Sequence, residues 1–294
     1  MPALYGRLTY VKERPTPGAE SYRRCIPAFS AYLCIIACST TGRRRLRDAL
    51  RSCPDRGEAV IQPQQSSVRN RLLGALSPED FALLPLQHVH LPLTHVLIEP
   101  KVRIEHLYFI EEGMTSIVTD TLVGKVEIGM VGREGLVAAA PILLGSDHTP
   151  YQHFMQMSGE GLQISTRDLL EAVDRSPSLR ALMLCYIQAF LIQVAQTAFA
   201  NAVYTIEIRL ARWLLMCHDR AEGDDMVLTH EFLAQMLGVR RPGVSVATQI
   251  LEGNRLIRAK RGRITILDRA GLEAVADEGY GLAEAQYAAL IEKR

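Results

Sequence analysis

The feature that most constrains this chain is a run of 26 consecutive residues, 181–206, without a charged side chain. Apolar residues recur in it at helical spacing, and others cover the opposite side. A helix that is apolar all round must be buried on all sides, as in a membrane span or a packed core helix. Four amide side chains interrupt the run, which is costly in lipid: Gln188, Gln193, Gln196 and Asn201. The sequence therefore favours a helix that packs on its own domain and on a second copy of the chain.

Composition narrows the class of protein further. The chain has 294 residues, of which 48% are hydrophobic and 22% charged, so wholesale disorder is excluded and two domains are expected. The net charge is only +1, so any attraction to nucleic acid or membrane must come from a local patch. Six cysteines in this length exclude a disulfide-based fold.

Residues 1–66 differ from the rest, because they hold eleven bases against five acids and show no sustained period. An apolar run at 26–38 allows an export signal but is too short for a membrane span. A metal or cluster is the other alternative, yet the cysteine spacing matches neither zinc nor iron–sulfur patterns. The four cysteines are Cys25, Cys34, Cys38 and Cys53. We expect a poorly ordered extension, or a start codon assigned too early.

Residues 67–176 predict a domain of short antiparallel strands. Glycine and proline separate the strand-like runs, which favours a small roll or sandwich over alternating strands and helices. Ser77 and Ser165 have the pattern of helix N-caps. The predicted strands cover residues 88–93, 95–99, 106–111, 114–121, 125–131, 153–157 and 161–165.

Two sequence patterns in this domain could each indicate a ligand site. The turn at 132–145 could cradle an anion, but Arg133 is its only base, so we expect an ordinary strand-to-helix connection. His88 and His90 share one strand face and could ligate a metal or haem. No cysteine or carboxylate spacing supports such a site, so we expect these histidines, with His95 and His106, to be structural or on the surface, and we predict no metal.

The last third of the chain has the spacing of a helix–turn–helix. Thr229 can cap a short helix that ends at Gly238, a residue suited to a left-handed turn. A second helix, here termed the reading helix, is predicted over residues 240–251. Its inward side chains are expected to be Val244, Ala247, Ile250 and Leu251. In such motifs the N-terminal residues of the second helix meet base edges.

A basic hairpin is predicted directly after the reading helix. Residues 256–267 form two short strands with Lys260, Arg261 and Arg263 near the turn, and we term this hairpin the wing. Residues 229–269 hold eight bases and three acids, a local charge of +5. Bases at both the helix start and the wing indicate DNA binding rather than a solvated face. On the helix before this motif, Arg209, Arg212 and Arg220 are expected to point outward.

With these motifs the chain resembles transcription regulators of the Crp/Fnr family, over about residues 72–287. The resemblance is strongest from 206–215 to 264–268 and includes the specific run at 232–241. It implies an α+β fold with a jelly-roll-like antiparallel β roll, a long dimerisation helix and a winged helix–turn–helix. The corresponding divisions are a cyclic-nucleotide-binding-like sensor roll at 67–176, a dimerisation helix at 177–203, a winged domain at 204–272 and a C-terminal helix at 273–294.

The resemblance also bears on individual residues. Arg241 falls on the family's base-contacting arginine, whereas Pro242 and Val246 stand where some members have a glutamate and a second arginine. The segment 145–149 lacks the arginine that cyclic-nucleotide-binding members present to the phosphate. The N-terminal cysteines do not reproduce the iron–sulfur pattern of oxygen-sensing members. The resemblance thus implies DNA binding, leaves the effector open, and gives no reason to expect a cyclic nucleotide or an iron–sulfur cluster as cofactor.

The sequence therefore predicts a cytoplasmic, homodimeric regulator that reads a palindromic site in double-stranded DNA and contacts RNA polymerase, with no membrane partner. No nucleophile elbow, metal-ligand spacing or carboxylate pair indicates an enzyme. An alternative is a small-molecule-binding module whose winged helix makes protein contacts only. The predicted base-reading residues are Arg240, Arg241, Ser245 and Gln249, and the predicted phosphate contacts are Thr229, Lys260, Arg261 and Arg263.

Overall fold

A computed structural model describes residues 62–121 and 124–293, all within one compact unit. The prediction for residues 1–66 thus lies outside the described residues, apart from the last five of them, and so do the four N-terminal cysteines.

Two short helices precede the β domain, α1 (Arg71–Gly74) and α2 (Pro78–Phe81). The predicted cap is confirmed, because the Ser77 side chain accepts a hydrogen bond from the Asp80 backbone N–H at 3.1 Å. Asn70 caps α1, and its side-chain amide also donates to the carbonyls of Ile110 and Gly135, at 2.9 Å each. This buried asparagine joins the entering chain to the β domain.

Eight strands form two four-stranded antiparallel sheets, with orders β1-β8-β3-β6 and β2-β7-β4-β5. All seven predicted strands are present within two residues of their predicted bounds. The eighth, β6, is only two residues long, too short for a period to show. The strands are β1 (Gln87–Leu91), β2 (Val96–Ile98), β3 (His106–Ile110), β4 (Met114–Thr121), β5 (Gly124–Val131), β6 (Leu136–Val137), β7 (Gln152–Met157) and β8 (Gly159–Ser165).

The two sheets share one hydrophobic core, so the α+β fold with an N-terminal antiparallel β roll is confirmed. Leu107 and Phe109 of β3 face Ile117 and Met155 of the other sheet, and all four are buried. The segment 132–145 contains β6 and a short helix, α3 (Ala139–Leu143), as an ordinary connection would. The four singled-out histidines are exposed, and no group of potential ligands within the described residues could hold a metal.

The uncharged run lies in one long helix. Helix α4 (Thr166–Arg175) begins at the predicted cap Ser165, and α5 (Pro177–Val203) follows. One side of α5 packs on the roll, as expected, and in the single chain the opposite side stays exposed; its predicted cover, a second copy of the chain, remains a prediction. A helix is wider than the face that one domain can cover. The apolar residues that remain between 44% and 60% exposed are Leu184, Leu191, Phe199 and Val203.

By length and composition alone, α5 could cross a membrane. Two of its polar residues, Gln193 and Thr197, nevertheless have partners within the chain. The Gln193 side-chain oxygen accepts from the Met130 backbone N–H at 3.1 Å, and the Thr197 hydroxyl accepts from Arg212 at 3.1 Å. These contacts support packing on protein.

A second hydrophobic core holds the winged domain. Helix α6 (Ile206–His218) leads into it, and three strands form a small antiparallel sheet of order β10-β11-β9. The predicted helix–turn–helix and hairpin are both present. The remaining elements are β9 (Asp225–Val227), α7 (His230–Leu237), α8 (Arg241–Gly253), β10 (Ile257–Lys260), β11 (Arg263–Ile266) and α9 (Arg269–Ala276).

Two predictions about side-chain direction are wrong in this domain. Ile250 is exposed and Thr248 is buried instead, because the buried line of α8 runs through Val244, Ala247, Thr248 and Leu251 at helical spacing. The arginines of α6 do not point outward: Arg212 is buried, Arg209 is half-buried, and the side chain of Arg220, just after the helix, is only 7% exposed.

The C-terminal segment is interrupted. Asp277 and Gly281 have φ values of +48° and +99°, so the chain turns twice before α10 (Leu282–Tyr287) and a π-helical turn (Ala288–Glu292). Tyr287 and Ile291 enter the core of the roll, and the Tyr287 hydroxyl donates to the Glu134 carbonyl at 2.7 Å. The segment therefore ties the winged domain back to the roll.

Candidate nucleic-acid interface

The turn between α7 and α8 has little steric freedom. Gly238 has φ +61°, and a Cβ there would lie 3.1 Å from the Val126 side chain on the roll. Arg240 is the N-cap of α8 and has an extended backbone conformation. Pro242 lies in the first turn of the helix, where a missing N–H costs little. At the other end of the motif, the Thr229 hydroxyl caps α7 by accepting from the Phe232 N–H at 3.1 Å.

Three of the predicted base-reading residues share one face of α8. Arg241, Ser245 and Gln249 follow one another at intervals of four residues. Arg241 and Gln249 are exposed, whereas Ser245 is half-buried with its hydroxyl 3.0 Å from Nδ1 of His230. This contact couples the two helices of the motif. Sequence reasoning missed His230, because the contact between two helices leaves no local signal in the sequence.

The wing is held against the reading helix. Arg261 and Gly262 have φ values of +48° and +76°, as in a two-residue hairpin turn, which leaves Arg261 exposed at the tip. Lys260 and Arg263 lie opposite each other on either side of this turn. The Glu252 carboxylate of α8 accepts from the Ala259 N–H at 3.0 Å, which fixes the angle between helix and wing.

Reading helix and wing enclose an open groove of about 410 Å³, here termed the basic groove. Six of the eight predicted site residues line it: Thr229, Arg241, Gln249, Lys260, Arg261 and Arg263. Arg240 and Ser245 lie outside its lining. His230 and Glu252 also line it and were not predicted. The structure therefore brings together residues that are up to 34 positions apart in the sequence.

Charge in the basic groove is strongly one-sided. Its lining has four bases (Arg241, Lys260, Arg261 and Arg263) and one acid, Glu252. Arg263 shares its charge with Asp225 at 3.4 Å, whereas the other three bases form no ion pair within the described part of the chain. A row of free cations between a helix and a hairpin matches a phosphate backbone beside a groove.

Comparison with known proteins agrees with this geometry. Residues 208–275 match the family model of the Crp-like helix-turn-helix domain. The chain carries a Crp-like helix-turn-helix domain. No curated protein sequence matches the chain significantly.

The fold around the Crp-like domain is that of Crp/Fnr regulators. A Crp/Fnr family protein from Eubacterium rectale is 16% identical, with a TM-score of 0.57, over 70% of this chain and 97% of that one. A CRP family regulator from Thermus thermophilus is 18% identical, with a TM-score of 0.54, over 64% and 96%. FixK2 from Bradyrhizobium japonicum is 13% identical, with a TM-score of 0.57, over 65% and 98%. These likenesses show that the chain shares the fold of these regulators.

Buried ionic groups join the Crp-like domain to the roll. Arg220 pairs with Glu134 of the roll at 2.6 Å, and both side chains are almost inaccessible. Burial acts to lower the pKa of Arg220, but the charge and hydrogen bond of Glu134, together with the charges of Asp219 and Glu284, outweigh burial, so the pKa is raised. The pair therefore stays ionised and holds the junction by charge-assisted hydrogen bonds.

A buried carboxylate lies at the same junction. Glu127 of β5 accepts from Trp213 Nε1 at 2.7 Å and from the Ser116 hydroxyl at 2.6 Å. Burial raises its pKa to about 7, although both hydrogen bonds act to lower it. Roll residues Met114, Val118 and Met130 belong to the core of the Crp-like domain, so this carboxylate lies at a continuous packed contact between the two parts.

The interior of the roll does not suit a cyclic nucleotide. Its cavity measures only about 20 Å³ and is lined by apolar residues, Tyr186 and the buried His153. Ligand pockets are roughly 300–1,000 Å³. Burial lowers the pKa of His153 to about 4, so it is neutral near pH 7, and no lysine or arginine of the described chain lines this cavity. A phosphate would find no positive partner there.

Proposed function

We propose that this chain is a homodimeric, sequence-specific transcription regulator that reads a palindromic DNA site. The observation that carries the proposal is the basic groove, formed by the reading helix and the wing of a Crp-like domain. We place its site of action in the cytoplasm, with RNA polymerase as a further partner.

Base readout falls to the exposed face of α8. Arginine pairs guanine O6 and N7 bidentately, and glutamine pairs adenine, so Arg241 and Gln249 supply hydrogen-bond readout. Beside them runs an apolar row with Val246 at 53% and Ile250 at 41% exposure. Such side chains suit thymine methyl groups. Ser245 lies between Arg241 and Gln249 on the same face and is half-buried, and Arg240 precedes the helix as its N-cap.

Phosphate contacts hold the register. Lys260, Arg261 and Arg263 carry their charges around the wing, and Thr229 still has its hydroxyl proton to donate, since its oxygen accepts the capping bond. Such contacts give affinity for any duplex, and the α8 side chains choose among duplexes.

A second copy of the chain suits the exposed apolar side of α5. Leu184 and Leu191 are seven residues apart on that side, and Phe199 and Val203 continue toward the Crp-like domain. A two-fold axis beside α5 presents two reading helices about 34 Å apart, one helical turn of DNA. A palindromic site follows from that symmetry.

Control of DNA binding requires a signal with different affinities for two arrangements of the molecule. We assign its reception to the roll side of the junction, since roll residues enter the core of the Crp-like domain.

The test of DNA reading begins with an inverted repeat selected from random duplexes. Arg241→Ala should weaken binding to it by about 1–3 kcal/mol and relax one base position. Arg258→Ala, an exposed change outside the basic groove, is the matched control. Equal loss on selected and random DNA would refute the role of Arg241. If the unaltered chain shifts no duplex at low salt, the proposed function fails and the small-molecule-binding module is favoured.

The dimer is tested separately by sedimentation. Leu191→Glu buries a charge in the proposed interface and should give a monomer, because an unpaired charge is costly there. Leu144→Glu, at a more exposed leucine of the roll, is the control. The monomer should lose preference for the inverted repeat over a half-site. A Leu191→Glu chain that stays dimeric would contradict the assignment of α5.

A further inference from the structure

The largest enclosed space near the junction is not inside the roll. A cavity of about 270 Å³ lies where four parts of the chain meet, and we term it the junction cavity. Met130 and Glu134 come from the roll, Tyr186 and Phe190 from α5, Arg220 from the Crp-like domain, and the C-terminal segment closes it. It is more than ten times larger than the cavity inside the roll. Ligand sites often lie at such meetings of domains.

Aromatic rings form much of the wall. Tyr186, Phe190, Tyr280 and Tyr287 all line the junction cavity. The hydroxyls of the tyrosines are already engaged: Tyr186 donates to the Leu136 carbonyl at 3.3 Å, Tyr280 to Asp219 at 2.7 Å, and Tyr287 to the Glu134 carbonyl. The rings therefore act as surfaces for an apolar or cationic group, because ring faces attract cations.

The charges of the lining leave one carboxylate without a direct ion pair among the described residues. Glu134 is paired with Arg220, and Asp219 with Arg269 at 2.7 Å. Arg71 pairs with Glu292 and lies over the Tyr287 ring. Glu284 forms no ion pair anywhere in residues 62–121 and 124–293, and accepts only from the Gly281 N–H at 3.0 Å. Arg212 and Arg220 attract Glu284 only from beyond ion-pair distance, so a ligand can still supply it with a direct cationic partner.

We propose that the junction cavity binds a small organic cation, a primary amine on an aromatic or hydrocarbon body, with its ammonium group at Glu284. The aromatic walls bury the body, and the volume admits a ligand of one ring with a short side chain. The negative charge of Glu284 would repel an anion, so the site excludes anionic ligands.

Binding there bears on DNA affinity, and this part rests on the proposed function. The cavity walls come from the roll, α5, the Crp-like domain and the C-terminal segment, so their relative arrangement sets the shape of the site. A ligand that fits one arrangement better raises the population of that arrangement. By reciprocity, operator DNA changes the affinity for the ligand by the same factor.

Calorimetry on the full chain tests the site without DNA. The probe is phenethylamine, and 3-phenylpropionate is its anionic counterpart of similar shape. We expect saturable binding of the amine and none of the acid. Glu284→Gln keeps an acceptor for the Gly281 N–H but removes the charge, so the affinity for the amine should fall about tenfold. Glu278→Gln, an exposed neighbour outside the lining, should bind as the unaltered chain does.

Binding of the acid as tight as that of the amine, or amine binding unaffected by Glu284→Gln, would overturn the proposal. So would failure of the amine to bind at all. A gel shift with and without phenethylamine then tests coupling, for which we expect a change in operator affinity. Unchanged operator affinity would overturn the regulatory role. A chain that binds the amine but no duplex would instead refute the proposed function and leave the site intact.

Discussion

The basic groove and the junction use the same residue type in opposite ways. In the groove, Arg241 and Arg261 are exposed and form no ion pair within the described chain. At the junction, Arg220 pairs with Glu134, and Arg212 donates to the Gly279 carbonyl at 2.8 Å. An exposed arginine without a partner can bind an external anion, whereas the charge of a buried, paired arginine is compensated by its partner within the fold.

The difference shows that the count of bases in a segment does not measure its attraction for DNA. The environment of each base decides. Arg209 lies between the two cases, because it is half-buried, donates to the Leu237 carbonyl and has a pKa lowered by burial. From the sequence alone, Arg209, Arg212 and Arg220 are expected on the surface. That expectation is wrong because their hydrogen-bond and ion-pair partners lie on distant segments of the chain.

The largest expected effect would break the junction. Arg220→Met leaves the buried Glu134 without its cation and should lower the free energy of unfolding by about 3–5 kcal/mol. Urea denaturation of the full chain measures it. Arg258→Met, on the exposed side of the wing, should stay within about 0.5 kcal/mol. Combining Arg220→Met with Glu134→Gln should recover part of the loss, and a single variant as stable as the original chain would refute the pairing.

A second prediction concerns how the stability of the junction depends on pH through the buried Glu127. The pKa of Glu127 is about 7 in the folded chain, above its ordinary value of 4.5, so the folded state keeps a proton that the unfolded state releases. Stability should therefore fall as pH rises from 4.5 to 7. Glu127→Gln removes this loss and should stabilise the chain at pH 8 by roughly 2–3 kcal/mol, with little effect at pH 4.

His153 changes the stability of the chain in the opposite direction over nearly the same range of pH. Its pKa is about 4, below the ordinary 6.5, so stability is lost as pH falls through that interval. The difference in unfolding free energy between Glu127→Gln and the original chain, measured against pH, isolates Glu127. Glu105→Gln, an exposed change, serves as control. A difference that does not vary with pH would contradict the raised pKa.

The smallest effect concerns the free cations of the basic groove. Arg261→Ala should weaken binding to all duplexes almost uniformly and reduce the slope of log affinity against log salt by about 1. Arg167→Ala, an exposed base of the roll, should leave the slope unchanged. An altered base preference in Arg261→Ala would move this residue from phosphate contact to base reading.

Much of the architecture could be predicted because its signals are local. The caps at Ser77, Ser165 and Thr229 each depend on a side chain and a backbone N–H three residues apart. Gly238 and the wing turn follow from backbone conformation. The two-residue β6 and the buried Thr248 have no local signal, since pairing across the sheet and packing around α8 decide them.

The sequence by itself determined the order of elements, the helix–turn–helix with its basic wing, and an uncharged helix that needs more than one packing partner. These depend on periodicity, capping and charge, which act over a few residues. Only the tertiary structure decided which arginines are free, which carboxylates are buried, and that the cavity at the junction is larger than the cavity within the roll. Those outcomes depend on contacts between residues far apart in the chain, where the local dielectric environment and the available partners are set.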